Sequence, residues 1–484
     1  MDARDDLTLV LDIGKSHAKL LMIDAQGEVV AREGRANRSV VSALGYPALD
    51  VHGLAQWITE TLQDRAETRR CTRAITSTHG AAFIALGGQG LAWEPIDYEF
   101  DGVSALDEAY QARRDGFDAT LAPDLPAGLN AARQLHWLQH THPQAWGRTQ
   151  VLLPYAQYWA WWLSGVAASE VSSLGCHTQL WRPLEARFSD LAQAQGWAAR
   201  FAPLRPAWQV LGPVQPERAR TTGLPTRCQV HVGVHDSNAC LARHLHGGAR
   251  TTLVSTGTWI VAMAPGASTA ALDPRHDMLA NVSVRGEAVP TARFMGGREL
   301  EALCAGASPA WASLPGLAEL LRQEVQALPT FAGQGGPFAG APGTVLQTGV
   351  PIDPATALDA GQRASLGALY CAQITAYLLA RLDAPGPVVI DGPFADNAVY
   401  RHVLAALRPP GSVRVGIDAV EGTARGAWLL TRWADPAGAH HVAVVGQEQA
   451  VEIQHHHRRW LELLARNVDP KAGGNGASGM ACRQ

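Results

Sequence analysis

Much that would mark a chain for a particular partner is missing from this one. There is no surplus of positive charge. Lys and Arg number 40 against 44 Asp and Glu, a net charge of −4, so no field draws the chain to nucleic acid or an acidic membrane. Charged residues make up only 17% against 47% hydrophobic, which excludes a disordered chain. The seven cysteines (Cys71, Cys176, Cys228, Cys240, Cys304, Cys371 and Cys482) are scattered and never spaced C-x-x-C. That excludes a disulfide framework and a zinc site and reads as reduced thiols in a cytoplasmic protein. The opening MDARDDLTLV has neither the basic nor the apolar stretch of a signal peptide. No apolar run is long enough for a bilayer: Val151–Leu163 is short, broken by Pro154 and Gln157, and suits a buried aromatic helix whose Trp159, Trp161 and Trp162 pack a core. Without an H-E-x-x-H, His440-His441 and His455-His456-His457 read as surface residues rather than metal ligands. Leu253 stands where a G-x-S-x-G hydrolase turn around Ser255 needs glycine. What is left is a globular protein of 484 residues, two or three domains by length, with a small-molecule partner, no nucleic acid and no membrane.

What is present centres on residues 230–264. Val230–Val234 reads as a buried strand running into His235-Asp236-Ser237-Asn238, which places a carboxylate at a strand end. Ala239–His246 has helical spacing. Thr251–Val254 is a second strand emptying into Ser255-Thr256-Gly257-Thr258, a turn whose backbone N–H groups can face an anion. The pair suits phosphoryl transfer to a hydroxyl, with Asp236 taking the proton and the turn holding the phosphate. The alternative is that Asp236 only caps the helix it precedes.

Two further segments fit that chemistry. LDIGKSHAK (Leu11–Lys19) contains Gly-Lys-Ser, but Leu9 occupies the first glycine position of a Walker A loop, and Ala18–Asp24 reads as a strand rather than a helix. It predicts a β-hairpin whose turn offers the Gly14 N–H, Ser16, Lys15 and Lys19 to phosphate, with Asp12 suited to a hydrated Mg²⁺; a solvated hairpin tip is the alternative. Val388–Asp391 reads as a strand delivering Gly392-Pro393-Phe394-Ala395-Asp396-Asn397, a junction that fits adenosine.

Leu7–Asp12, Ala18–Asp24 and Glu28–Arg32 predict an antiparallel meander, Val51–Ala66 a helix, and Arg73–Thr78 a strand ending in Thr78-His79-Gly80. Asp101–Ala127 turns polar and proline-bearing, a cap or a long loop. Ala364–Leu382 predicts a long helix, and Glu421–Trp433 another whose Gly422, Ala424, Gly426 and Ala427 let a neighbour pack closely. Prolines 203, 206, 213 and 216 mark a boundary between halves. The expected units are 1–225, 226–465 and a frayed tail over 466–484. Each half repeats strand, polar turn and strand (Leu9–His17, Leu253–Thr258), so similar halves would face their turns across a cleft.

Taken in this order, DIGKSHAK, GVHDSNA, STGTW, DGPFADN and EGTARGAW resemble the FGGY carbohydrate kinase family of the actin-like ATPase superfamily, over nearly the whole chain to about residue 435. The resemblance implies an α/β fold of two ribonuclease H-like domains with an interdomain cleft, and ATP- and Mg²⁺-dependent phosphorylation of a sugar. Asp236 would be the general base and Asp12 would lie near Mg²⁺. Gly14, Lys15, Ser16, Thr256, Gly257 and Thr258 would line the phosphates, and Gly392 and Asn397 would touch the nucleoside. His235, Thr78-His79-Gly80 and the Asp97-Tyr98 segment look most like the branch of L-fuculose and L-rhamnulose kinases, with His79, Gly80, Asp97, Tyr98 and His235 on the sugar. The implied substrate is a 6-deoxy-L-ketohexulose. A pentulose kinase and a non-kinase actin-like ATPase or sugar sensor are the alternatives, and a monomer or homodimer is expected. This chain departs from many members at His79-Gly80 (often Gly-Gln), at Ile96–Glu99 (often Trp-x-Asp-x-Arg) and at Gly392-Pro393 (often Gly-Gly).

Overall fold

The computed structural model describes residues 6–88, 90–245, 250–333, 335–416, 422–434 and 442–467. In its first sheet β1 (Leu7–Ile13) is buried along its whole length, as a near-continuous apolar run is when both sheet faces are covered. β2 (His17–Ile23) returns antiparallel beside it with Asp12 opposite Lys19, and β3 (Val29–Ala36) completes the meander. α1 (Val51–Gln63) turns Val51, Leu54, Ile58 and Leu62 into the core. β4 (Cys71–Thr78) then runs parallel to β1 on its other side. After α2 (Tyr155–Ser164) come β5 (Val210–Pro213), β6 (Gln229–His231) and β7 (Val234–His235), the last two parallel to β4. The strand expected over 230–234 is thus split. Gly233, at φ 89°, separates the pieces, and a Cβ there would sit 2.4 Å from Thr76 Oγ1. The sheet order is β5–β6–β4–β1–β2–β3, with β7 beside β4. The first sheet therefore runs past residue 226, where a second unit was expected to begin.

α3 (Asp236–Leu245) leaves this sheet for a second one that opens with β8 (Thr252–Thr256). β9 (Ile260–Met263), β10 (Met278–Val282) and β11 (Ala288–Phe294) follow, then α4 (Gly296–Cys304) and α5 (Ala360–Arg381), which starts at an Asp359/Gln362 capping box. β12 (Val388–Asp391), α6 (Ala398–Ala406), β13 (Val413–Gly416), α7 (Gly422–Leu430), β14 (Val442–Val444) and α8 (Ala450–Asn467) complete the described chain. The order is β10–β11–β9–β8–β12–β13–β14. β8 pairs antiparallel with β9 and parallel with β12, as β1 pairs with β2 and β4, so the two-halves echo in the sequence is a repeat of topology.

The sheets share a core. Val10 and Ile75 of the first, Leu253 and Met263 of the second, Leu241 of α3 and Trp428 of α7 form one apolar cluster. α7 packs on α3 closely enough that a Cβ at Gly426 would fall 1.7 Å from the Ala239 carbonyl oxygen, which is the use the small residues of this helix were expected to have.

Several local expectations change. Asp101–Ala127 is largely helical, with turns at Asp101–Leu106, Asp107–Gln111 and Phe117–Thr120. It adjoins a core of Tyr46, Trp93, Tyr110, Trp137 and Trp146. Trp159 and Trp162 are buried as expected, while Trp161 is half-buried. His456 is not a surface residue: its Nε2 meets the Val325 carbonyl at 2.9 Å, and burial pushes it down to about 4. Its neighbour His455 is exposed, since adjacent residues on a helix face different ways. Six cysteines are free and buried. Cys482, His440, His441 and residues 468–484 of the expected tail lie outside the described residues. Among the described residues no helix is long and apolar enough to cross a membrane.

Candidate functional site

β7 ends at His235, and α3 begins at Asp236 itself. The Asp236 carboxylate accepts from the N–H of the adjacent Ser237 (2.6 Å) and from its hydroxyl (3.2 Å). It is thus the first residue of the helix rather than a side chain capping the second or third N–H. His235 Nε2 lies 3.2 Å from the same oxygen, Oδ1. All three contacts fall on Oδ1, and among the described residues none is made to Oδ2. Burial holds His235 below the usual imidazole range against the pull of Asp236, so the ring is neutral at pH 7.

The residues expected on a sugar gather round this carboxylate. A Cβ on Gly80 would lie 2.6 Å from Cys176 Sγ and 3.0 Å from His235 Nε2, so glycine is what lets β4 end against that ring. His79 stacks its edge on Tyr98 (5.4 Å between centroids) and meets Tyr155 at 5.2 Å. Burial lowers His79, while burial and the charges of Glu99 and Asp236 raise Tyr98, which keeps its phenol a hydrogen-bond donor. Asp97 accepts from Lys15 and Ser39, and its Oδ1 takes the Glu99 N–H at 3.0 Å. Burial would raise Asp97, but Lys15 and Ser39 hold its carboxyl below the usual carboxylate range. A cavity of about 220 Å³ opens here between Lys15, Ser39, Asp50, His79, Glu99 and Tyr155.

Two of the hairpin groups expected on phosphate are engaged elsewhere. The Gly14 N–H closes its own turn on the His17 carbonyl (2.9 Å), and Asn37 Nδ2 pins the Gly14 carbonyl at 2.8 Å. Lys15 pairs with Asp97, reaches Glu99 at 3.3 Å and lies 5.2 Å over the Tyr98 ring. Ser16 is exposed and Lys19 half-buried. Asp12 is buried in β1, opposite Lys19 on one side and Ser77 on the other, and the Ser77 hydroxyl is buried without a partner among the described residues.

The second sheet carries a separate group. Thr256 donates its hydroxyl to the Asp391 carbonyl (2.6 Å) and accepts the Phe394 N–H (3.1 Å), so this side chain ties β8 to the turn after β12 rather than facing a ligand. Gly392, at φ 87°, would put a Cβ 2.1 Å from the Thr256 carbonyl oxygen, and close backbone approach accounts for it. Asn397 caps α6 by accepting the Tyr400 N–H at 3.0 Å. Gly257, Thr258, Arg298, Phe394, Asp396 and Asn397 surround a cavity of about 550 Å³, within the roughly 300–1,000 Å³ usual for small-molecule sites.

α3 joins the two groups. One and two turns beyond Asp236, respectively, Cys240 Sγ and Arg243 Nη1 each lie 2.9 Å from Asp391 Oδ2. Sequence reasoning passed over Arg243, Ser39, Tyr155 and Asn238. Only Asn238 carried a signal, by standing inside the His235–Asn238 segment.

The family model for the carbohydrate kinase FGGY C-terminal domain matches residues 248–440. The fold superposes on a carbohydrate kinase from Novosphingobium aromaticivorans with a TM-score of 0.85 and 34% identity, over 95% of this chain and 98% of that one. It also superposes on a ligand-bound xylulose kinase from Lactobacillus acidophilus (TM-score 0.75, 14% identity, 95% and 98% covered), a likeness of fold alone. An L-fuculokinase from Salmonella typhi is 25% identical over 279 residues, 54% of this chain, and the chain spans 57% of the length of that curated relative. The doubled sheet plan, the acidic residue at the tip of α3 and the likeness over almost the full length of the Novosphingobium protein agree: the chain belongs to the FGGY carbohydrate kinase family.

Proposed function

We propose that this protein transfers the γ-phosphoryl group of ATP to the terminal hydroxyl of a ketose, a 6-deoxy-L-ketohexulose such as L-fuculose or L-rhamnulose. The likeness to proteins named L-fuculokinase supports that substrate class. One observation carries the reading: Asp236 has one oxygen held three times and the other without a contact among the described residues, next to the buried His235 and within electrostatic reach of the buried His79.

Asp236 Oδ2 accepts the proton of the acceptor hydroxyl as that oxygen attacks phosphorus. His79, Tyr98 and Asp97 orient the sugar, with Lys15 holding Asp97 in place and the Gly80 backbone leaving room for His235. Of the groups expected on the phosphates, Ser16, Gly257 and Thr258 remain to meet the triphosphate, and the 550 Å³ cavity beside Asn397 takes the nucleoside. Mg²⁺ would suit Asp12, since that ion is commonly held by one or two carboxylates together with phosphate oxygens and water, and the Ser77 hydroxyl, without a partner among the described residues, stands opposite Asp12 on the neighbouring strand. Held there, Mg²⁺ would offset phosphate charge during the transfer.

The test is ADP release over a panel of L-fuculose, L-rhamnulose, D-xylulose, L-ribulose and no sugar. Ketose-dependent release, strongest with the 6-deoxy-ketohexuloses, is expected. Asp236→Asn should lower kcat by the ~10²–10⁴-fold typical of a lost general base while ATP still binds. Release that needs no sugar, or near-normal turnover in the variant, overturns the assignment.

A further inference from the structure

Asn238 stands three residues after His235 in α3 and is fully buried. Its Nδ2 lies 3.1 Å from His235 Nδ1, while the Oδ1 of the same amide is buried with no partner among the described residues. The reverse arrangement would have the amide oxygen accept a proton from Nδ1. A neutral ring would then aim the lone pair of Nε2 at the Asp236 carboxylate 3.2 Å away, two acceptors face to face. One tautomer satisfies both neighbours: Nδ1 accepts from Asn238, and Nε2–H donates to Asp236 Oδ1. The ring is also boxed in. The backbone N–H of His235 donates to the Ser172 hydroxyl at 3.4 Å, and the backbone of Gly80 closes over Nε2.

We propose that Asn238 is a positioning residue for the phosphoryl transfer: by keeping the His235 proton on Nε2 it fixes Asp236 Oδ1, and so presents Oδ2 to the acceptor hydroxyl. The proposal rests on the kinase reading above. Asn238 acts only through the imidazole. Without it the ring can take the other tautomer, Nε2 repels Oδ1, and the carboxylate turns about its Cβ–Cγ bond.

The test uses the full chain labelled with ¹⁵N-histidine, with the His235 signals assigned by their loss in His235→Gln. The expected spectrum has Nδ1 unprotonated and Nε2 protonated. Asn238→Leu, similar in size, should move the population toward the Nδ1–H form. It should lower kcat roughly 10-fold or more, the scale of losing an orienting outer partner, with KM for sugar and for ATP little changed. Asn238→Ala serves if the leucine prevents folding. In the His235→Gln background the same substitution should cost nothing further. A proton on Nδ1 in the wild type, an unchanged kcat, or a full additional loss in the His235→Gln background overturns the proposal. The tautomer is read without turnover, so a reversed tautomer in an active kinase sinks this inference alone, whereas the expected tautomer without ketose-dependent ADP release sinks the kinase reading.

Discussion

Lys15 is one of only three lysines in the chain, with Lys19 and Lys471, and two of the three fall in the first hairpin. That concentration was visible in the sequence; the target of Lys15 was not. Its partner Asp97 is 82 residues away, and no spacing rule links a hairpin tip to a carboxylate brought in by another segment. Asp236 was legible because its setting is local, a strand followed at once by an acid and a helical pattern. Glu170 had no such signal. It caps Val171–Leu174, accepting the N–H groups of Ser172 (3.0 Å) and Ser173 (3.1 Å), and Ser172 in turn supports His235. Burial pushes Glu170 up to about 7 in spite of these donors. Because the folded value lies above the unfolded one, near 4.5, the protonated carboxyl favours the fold below pH 4.5, and that contribution is lost as pH rises through about 7. Glu170→Gln should therefore gain thermal stability over the wild type, with a Tm gap that opens between pH 4.5 and 7 and levels off above. Melting curves at pH 5, 6, 7 and 8 check this, and a gap that shrinks with pH would refute it.

Among the elements, strands and helices with continuous apolar patterns were read well. β1, β2, β4 and α5 fall within a few residues of their predicted spans, because burial on both faces or one long stripe leaves a clear period. Asp101–Ala127 was not read as helix, since its turns are too short to show a period and take their order from the aromatic core beneath. The break at Gly233 was invisible too, being set by Thr76 on the neighbouring strand. The small residues of α7 were legible, and their partner is now known to be α3. Gly426→Ala should therefore cost about 1–3 kcal/mol, the usual range for overpacking, although alanine is the better helix former. A Cβ 1.7 Å from the Ala239 carbonyl has no side chain to push aside, only backbone. Chemical denaturation measures the loss; an unchanged midpoint would mean the helices separate without penalty.

For the molecule as a whole, the sequence showed two similar halves but put their division before the strands that lead into Asp236. Composition marks a proline-rich connection, and that connection lies within the first sheet, whose last strands come after it. Pairing decides membership, and pairing partners more than 150 residues apart leave no trace in a local window. The apolar cluster shared by Val10, Ile75, Leu253, Met263, Leu241 and Trp428 belongs to neither half alone. Neither sheet can lose its structure without exposing the other's packing, so calorimetry should record a single unfolding transition rather than two.

Arg243 and Cys240 grip Asp391 from the same helix that carries Asp236 at its tip. α3 is in that sense a lever with its grip on the strand before the 550 Å³ cavity and its working end at the Asp236 carboxylate. Should the sheets rock against each other, either that grip opens or the acid swings with the strand, so a shift beside that cavity is felt mechanically at the carboxylate.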